Sequence, residues 1–138
     1  MSKKTLCFFL IIIIGLFCTA CKKNKSLILF NHYPITKDNI LNNSTVFTAG
    51  ERIYYVYLTR KELKTEDIRV KIYKRNWDAK GAYGDVVYSN DFRLKKGEIF
   101  YFTDYIVMHK AGNYIMHVYK KDYLWKPDAI ADFRVDAR

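Results

Sequence analysis

Cysteine is almost absent from this chain, and the three that occur, Cys7, Cys18 and Cys21, all fall near its start. The rest of the polypeptide therefore has no material for a disulfide framework or a thiolate metal centre. Histidine is equally thin. His32, His109 and His117 stand far apart, with no second ligand at metal spacing and no HExxH pattern, which excludes the common zinc signatures. Proline occurs twice, at Pro34 and Pro127, and glycine six times, too few for a collagenous or low-complexity chain. No internal repeat or mid-chain linker is visible. Long apolar runs are missing as well: the uncharged stretch Leu6–Phe17 has twelve residues, whereas a membrane-spanning helix needs about 20. Acidic side chains are outnumbered, 14 against 24 basic ones, for a formal charge of +10.

What the chain does have begins with that short apolar run. Lys3 and Lys4 precede it and the small residues Thr19 and Ala20 follow it, the order of a signal peptide over residues 1–20. The segment Phe17-Cys18-Thr19-Ala20-Cys21 resembles the lipobox of bacterial lipoproteins, with Cys18 where that family usually has leucine. The resemblance implies cleavage before Cys21, a diacylglyceryl group on its thiol and a further acyl chain, such as palmitate, on the new N-terminus. It implies a protein anchored to a bacterial membrane and facing the periplasm or the cell surface. Cys18-Thr19-Ala20 also reads as the small-x-small site of ordinary secretion. A single unpaired thiol at the first position of a secreted chain would be odd, however, and lipidation accounts for it. Two or more acyl chains hold firmly where one is marginal. Residues 21–26, Cys-Lys-Lys-Asn-Lys-Ser, read as a basic flexible tether near lipid headgroups.

Residues 27–138 suit one domain, long enough to bury a core. Their pattern is β throughout. Strands are expected at Ser26–Phe30, Ser44–Phe47, Arg52–Leu58, Ile68–Arg75, Glu98–Val107, Asn113–Lys120 and Ala129–Val135. Asp85–Leu94 should hold one or two strands around a turn at Asn90-Asp91. Turn residues separate these stretches at Ala49-Gly50, Gly81–Gly84, Lys96-Gly97, Ala111-Gly112 and Lys126-Pro127. Thr59–Asp67 is charged and has no apolar stripe, so it reads as a loop with at most one helical turn. Seven to eight strands with a turn about every ten residues predict an all-β antiparallel sandwich, with a small β-barrel of lipocalin or OB type as the alternative.

Gly112-Asn113-Tyr114, ahead of an alternating penultimate strand, resembles the F-strand entry of immunoglobulin-like domains. That resemblance implies that the Tyr114 hydroxyl bonds back to the chain upstream, and it puts Met116 where antibody domains carry a cysteine. The expected core is Ile53, Tyr55, Ile68, Val70, Ile72, Tyr114, Met116, Val118, Ala131, Phe133 and Val135. Both faces of Arg52–Leu58 are apolar, so its second face should meet either the N-terminal segment or a partner.

Residues with chemistry are sparse. Ser26, Ser44 and Ser89 lie in no nucleophile elbow. Asp78, Asp85, Asp91 and Asp104 read as loop carboxylates with no spacing that selects an acid/base pair. No cofactor or metal site is implied. The loop 76–85 offers Trp77 and Tyr83 among aspartates and glycines. It could serve as a binding loop or hold Ca²⁺ through Asp78 and Asp85, although no EF-hand spacing is present; otherwise Trp77 folds back onto the core. Arg69, Lys71, Tyr73 and Arg75 should share one outward face, joined by His117 and Tyr119 of the neighbouring strand in an immunoglobulin-like sheet. That basic and aromatic face suits an envelope protein or an anionic polymer. Nucleic acid fits the charge but not the compartment. Leu124 and Trp125 form a second expected docking point at a hairpin tip. The expected function is a non-catalytic binding or assembly module on a lipid anchor. The alternatives are a small envelope hydrolase, or a periplasmic inhibitor using the 76–85 loop.

Overall fold

The computed structural model describes residues 26–65, 67–76, 84–98 and 100–138. Among these residues eight strands occur: β1 Leu27–Asn31, β2 Val46–Thr48, β3 Arg52–Leu58, β4 Asp67–Lys74, β5 Val86–Arg93, β6 Tyr101–Val107, β7 Gly112–Lys120 and β8 Ala129–Asp136. No helix is found among the described residues. The strands form a three-stranded sheet in the order β1-β3-β6 and a five-stranded sheet in the order β2-β8-β7-β4-β5. Among the described residues neither sheet closes on itself, so the arrangement is an open sandwich and not a barrel. Every pair is antiparallel except β2 with β8, which runs parallel. The chain crosses from one sheet to the other between β1 and β2.

Period-two patterning explains the layers. In β4, Ile68, Val70 and Ile72 are buried while Arg69, Lys71 and Tyr73 are half-exposed. In β3, Ile53, Tyr55 and Tyr57 face the core. Facing them from the other sheet are Met116 and Val118 of β7 and Phe133 and Val135 of β8. Aromatic rings bridge the two layers. Phe30 lies 5.0 Å from Phe133 and 6.4 Å from Phe47, and Tyr114 stacks on Phe133 at 5.5 Å. At another point Phe92 of β5 meets Phe102 of β6 at 5.0 Å. Ala131, expected in the core, is half-buried and packs against it.

The second face of β3 needs no partner to be covered. Val56 is 1% exposed although it points away from the core. Its register neighbours Leu29 and Thr103 flank it. Beside them Tyr54 contacts Tyr105 at 5.7 Å, and the Arg52 guanidinium sits 4.8 Å from the centre of the Tyr105 ring. The sheet's own long side chains close over the strand.

Two glycines illustrate what the backbone requires of this residue. Gly50, in the turn between β2 and β3, has φ 88°, the left-handed region that other residues enter at a cost. Gly84 passes so close to the Lys74 carbonyl that a Cβ there would overlap it. Two sequence readings are corrected and one is refined. Asn90-Asp91 is no turn: β5 runs unbroken through it and pairs with β4 along its length. Thr59–Thr65 is the expected loop, without a helical turn, but its Leu63 is buried against the core. Asp91 and Asp104 are strand residues, not loop carboxylates, and they belong to different sheets.

Candidate functional site

The β4–β7 register brings the expected face together. Arg69 lies opposite Tyr119, Lys71 opposite His117 and Tyr73 opposite Ile115. The face is not the open patch that alternation suggests. His117, expected to face solvent, points away from the core yet is only 2% exposed, and Tyr119 is 8% exposed. β7 is the middle strand of its sheet, so side chains from β4 and β8 close over it. The Tyr73 ring packs 4.8 Å from His117, the Tyr119 hydroxyl lies 3.0 Å from His117 Nδ1, and the Lys71 ammonium sits 5.9 Å from the centre of the Tyr119 ring. Burial pulls the His117 imidazole below its usual pKa; Asp132 works against that shift and Lys71 adds to it.

The cations of this face are largely matched. Arg69 holds Asp91 with two hydrogen bonds, Nε to Oδ1 at 2.6 Å and Nη2 to Oδ2 at 3.0 Å. Lys121 reaches the same carboxylate at 3.1 Å. These donors, Arg69 first, hold the Asp91 carboxyl well below the usual carboxylate range. Arg75 pairs with Asp132 at 3.0 Å. Solvent still reaches Arg69, Lys71 and Tyr73, which are half-exposed, and Arg75, which is exposed.

A second locus lies at the end of the sandwich where β1 begins. Ser26 and the 59–65 and 121–128 loops frame an open groove of about 840 Å³, lined among others by Lys61, Lys64, Lys126 and Tyr123. Its floor is built. The buried Tyr57 donates to Asp128 Oδ2 at 2.5 Å, and Lys120 pairs with the other carboxylate oxygen at 3.4 Å. Burial works to raise the Asp128 pKa, but hydrogen bonds from Ser26 and Tyr57, together with Lys120, outweigh it and hold the carboxyl below its ordinary value. At the rim, Trp125 is 75% exposed, Leu124 is exposed beside it, and the Tyr123 and Trp125 rings touch at 4.2 Å. Tyr123, Leu124 and Trp125 are thus exposed together in the connection between β7 and β8. The basic 59–65 loop beside it went unrecognised in the sequence, where its only signal was a cluster of cations around the lone apolar Leu63.

No group of three or more metal-ligating side chains converges among the described residues. His32 contacts Glu51 at 3.1 Å, and His109 is exposed. Residues 1–25, with Cys21 and the expected signal peptide, lie outside the described residues. So do 77–83, with Trp77, Asp78 and most of the expected 76–85 loop.

The Tyr114 hydroxyl donates to the Lys110 carbonyl at 2.6 Å, the upstream bond of a tyrosine corner. With two packed sheets, that makes the domain an immunoglobulin-like β-sandwich. No protein-family model and no curated protein matches the chain. Among solved structures it is similar to an immunoglobulin-like protein from Pseudomonas aeruginosa, at 12% identity and a TM-score of 0.48, over 82% of this chain and 91% of the other.

Proposed function

We propose that this chain is a lipid-anchored protein of the bacterial cell envelope whose sandwich serves as a non-catalytic binding module. The observation that carries the reading is the placement of Cys21. It follows Ala20 directly after a short uncharged run, it is the last cysteine of the chain, and only Lys22–Lys25 and Ser26 separate it from β1. A thiol so placed is suited to carry lipid, and the acyl chains supply about 0.8 kcal/mol per buried CH₂. Mass spectrometry of the protein from a bacterial membrane fraction should find an N-terminal Cys21 bearing diacylglycerol and an acyl chain. Cys21→Ser should move the protein from the detergent phase to the aqueous phase. A free Cys21 sulfur in the wild type would refute the anchor.

The binding surface we favour is the accessible strip Lys71, Tyr73 and Arg75, offered to an acidic envelope protein or an anionic polymer. Lys71 bears on this most directly, because Arg69 and Arg75 are held by Asp91 and Asp132. Lys71→Glu combined with Tyr73→Ala should abolish recovery of a partner from detergent-solubilised envelope while the near-ultraviolet spectrum stays native. Undiminished recovery would remove this face from consideration.

A further inference from the structure

Accepting the anchor at Cys21, the geometry points to a second membrane contact: the end of the sandwich around Ser26 rests on anionic lipid headgroups through Trp125, Tyr123 and a ring of lysines. The reach of the tether sets the orientation. Five residues, Cys21–Lys25, precede Ser26, and fully extended they span roughly 17 Å. The nine-residue β7 is already about 30 Å long. The end that bears Ser26 is therefore confined next to the bilayer, and the opposite end is held beyond it.

The chemistry at the confined end suits that position. Trp and Tyr favour the membrane–water boundary, where the ring meets apolar surface and the polar atom stays wet. Here Trp125 and Tyr123 project side by side, with the exposed Leu124 between them in sequence and the exposed Phe100 hydrogen-bonded through its carbonyl to Thr59 of the neighbouring loop. Around them Arg60, Lys61, Lys64 and Lys126 make no ion pair among the described residues. They are matched in number by Glu62, Glu66, Asp67 and Asp122 of the same stretches, and Lys22, Lys23 and Lys25 of the tether supply the excess of cations. Clustered cations next to a bilayer are attracted by the negative surface potential of acidic lipids within a Debye length. Lys120 and Lys121, by contrast, are spent on Asp128 and Asp91. With this end seated, the strands of the larger sheet rise away from the membrane and the Lys71–Tyr73–Arg75 strip faces sideways, open to a partner.

The test uses the lipidated full-length protein in vesicles of phosphatidylethanolamine and phosphatidylglycerol, with Trp77→Phe leaving Trp125 as the single tryptophan. A brominated phospholipid should quench Trp125 emission at least twofold. Acrylamide should quench it less than in the Cys21→Ser protein free in solution. Lys61→Glu, Lys64→Glu and Lys126→Glu together, or 0.5 M salt, should restore acrylamide access. If Trp77→Phe fails to fold, a nitroxide at Lys126→Cys gives the same reading against a lipid-soluble relaxation agent. Mass analysis of the same sample separates the two claims. A lipidated Cys21 with Trp125 fully open to acrylamide overturns the docking and leaves the anchor standing; an unmodified Cys21 overturns both. Protection that grows with protein-to-lipid ratio assigns the tip to a second copy of the chain and also overturns the proposal.

Discussion

Tyr114 and Tyr55 are both buried, but only Tyr114 has its hydroxyl hydrogen-bonded among the described residues. Burial, aided by the nearby Asp104, pushes the Tyr55 hydroxyl far above its usual pKa, so it stays neutral and carries the cost of desolvation alone. Tyr55→Phe should therefore be neutral or stabilising by up to about 1 kcal/mol, while Tyr114→Phe should cost about 1 kcal/mol by leaving the Lys110 carbonyl without its donor. Unfolding free energies from urea denaturation should then be lower for Tyr114→Phe than for Tyr55→Phe by about 1–2 kcal/mol. His117 poses a related problem with pH as the variable. Its folded pKa is depressed below 6.5 by burial, so the unfolded chain takes up a proton first as pH falls. Stability should be full above about pH 6.5 and decline toward pH 5, although Asp132 tempers the decline. His117→Gln should lose less of its melting temperature over that window than the wild type, as thermal scans at pH 7.5 and 5 would show.

β5 shows why single strands were harder to read than the whole pattern. Asn90-Asp91 has the composition of a turn, and the rest of β5 is mostly solvent-exposed. The strand continues through these residues because they pair with Val70 and Arg69 of β4, and the Arg69 side chain also clamps Asp91 while Lys121 reaches in from the turn after β7. A cross-strand clamp is not visible in local sequence. β4 and β7 were legible because alternation needs no knowledge of neighbours. The burial of His117 and Tyr119 was not, because the identity of the middle strand decides it. The tyrosine corner was legible because it is built within five residues. The clamp also makes a prediction. Asp91 has a folded pKa lowered by Arg69 and then Lys121, so it contributes stability above about pH 4 that is lost as pH falls below the unfolded value of 3.8. Asp91→Asn should abolish that part of the acid dependence and shift denaturation little at neutral pH, because the pair is open to water. In 1 M salt the wild type should approach the variant. A wild type insensitive to both acid and salt would show that the clamp contributes nothing.

For the molecule as a whole, the two sheets are held together without a disulfide, since no cysteine lies beyond Cys21. Phe30 of the smaller sheet and Phe47, Tyr114 and Phe133 of the larger one form the main bridge, with Phe133 touching all three others. Phe133 is 3% exposed. Strand pairing fixes both layers around Phe133, so a cavity left there collapses only in part and Phe133→Ala should cost about 3–5 kcal/mol. A domain of this size has only about 5–15 kcal/mol to lose. Because the bridge joins both layers, its loss should lower the single cooperative transition seen by near- and far-ultraviolet circular dichroism together, rather than split off one sheet. Reductant should leave that transition unmoved. A variant in which the far-ultraviolet signal outlasts the near-ultraviolet one would mean that the sheets persist without their shared core, and that β-pairing rather than the aromatic bridge sets the stability of the sandwich.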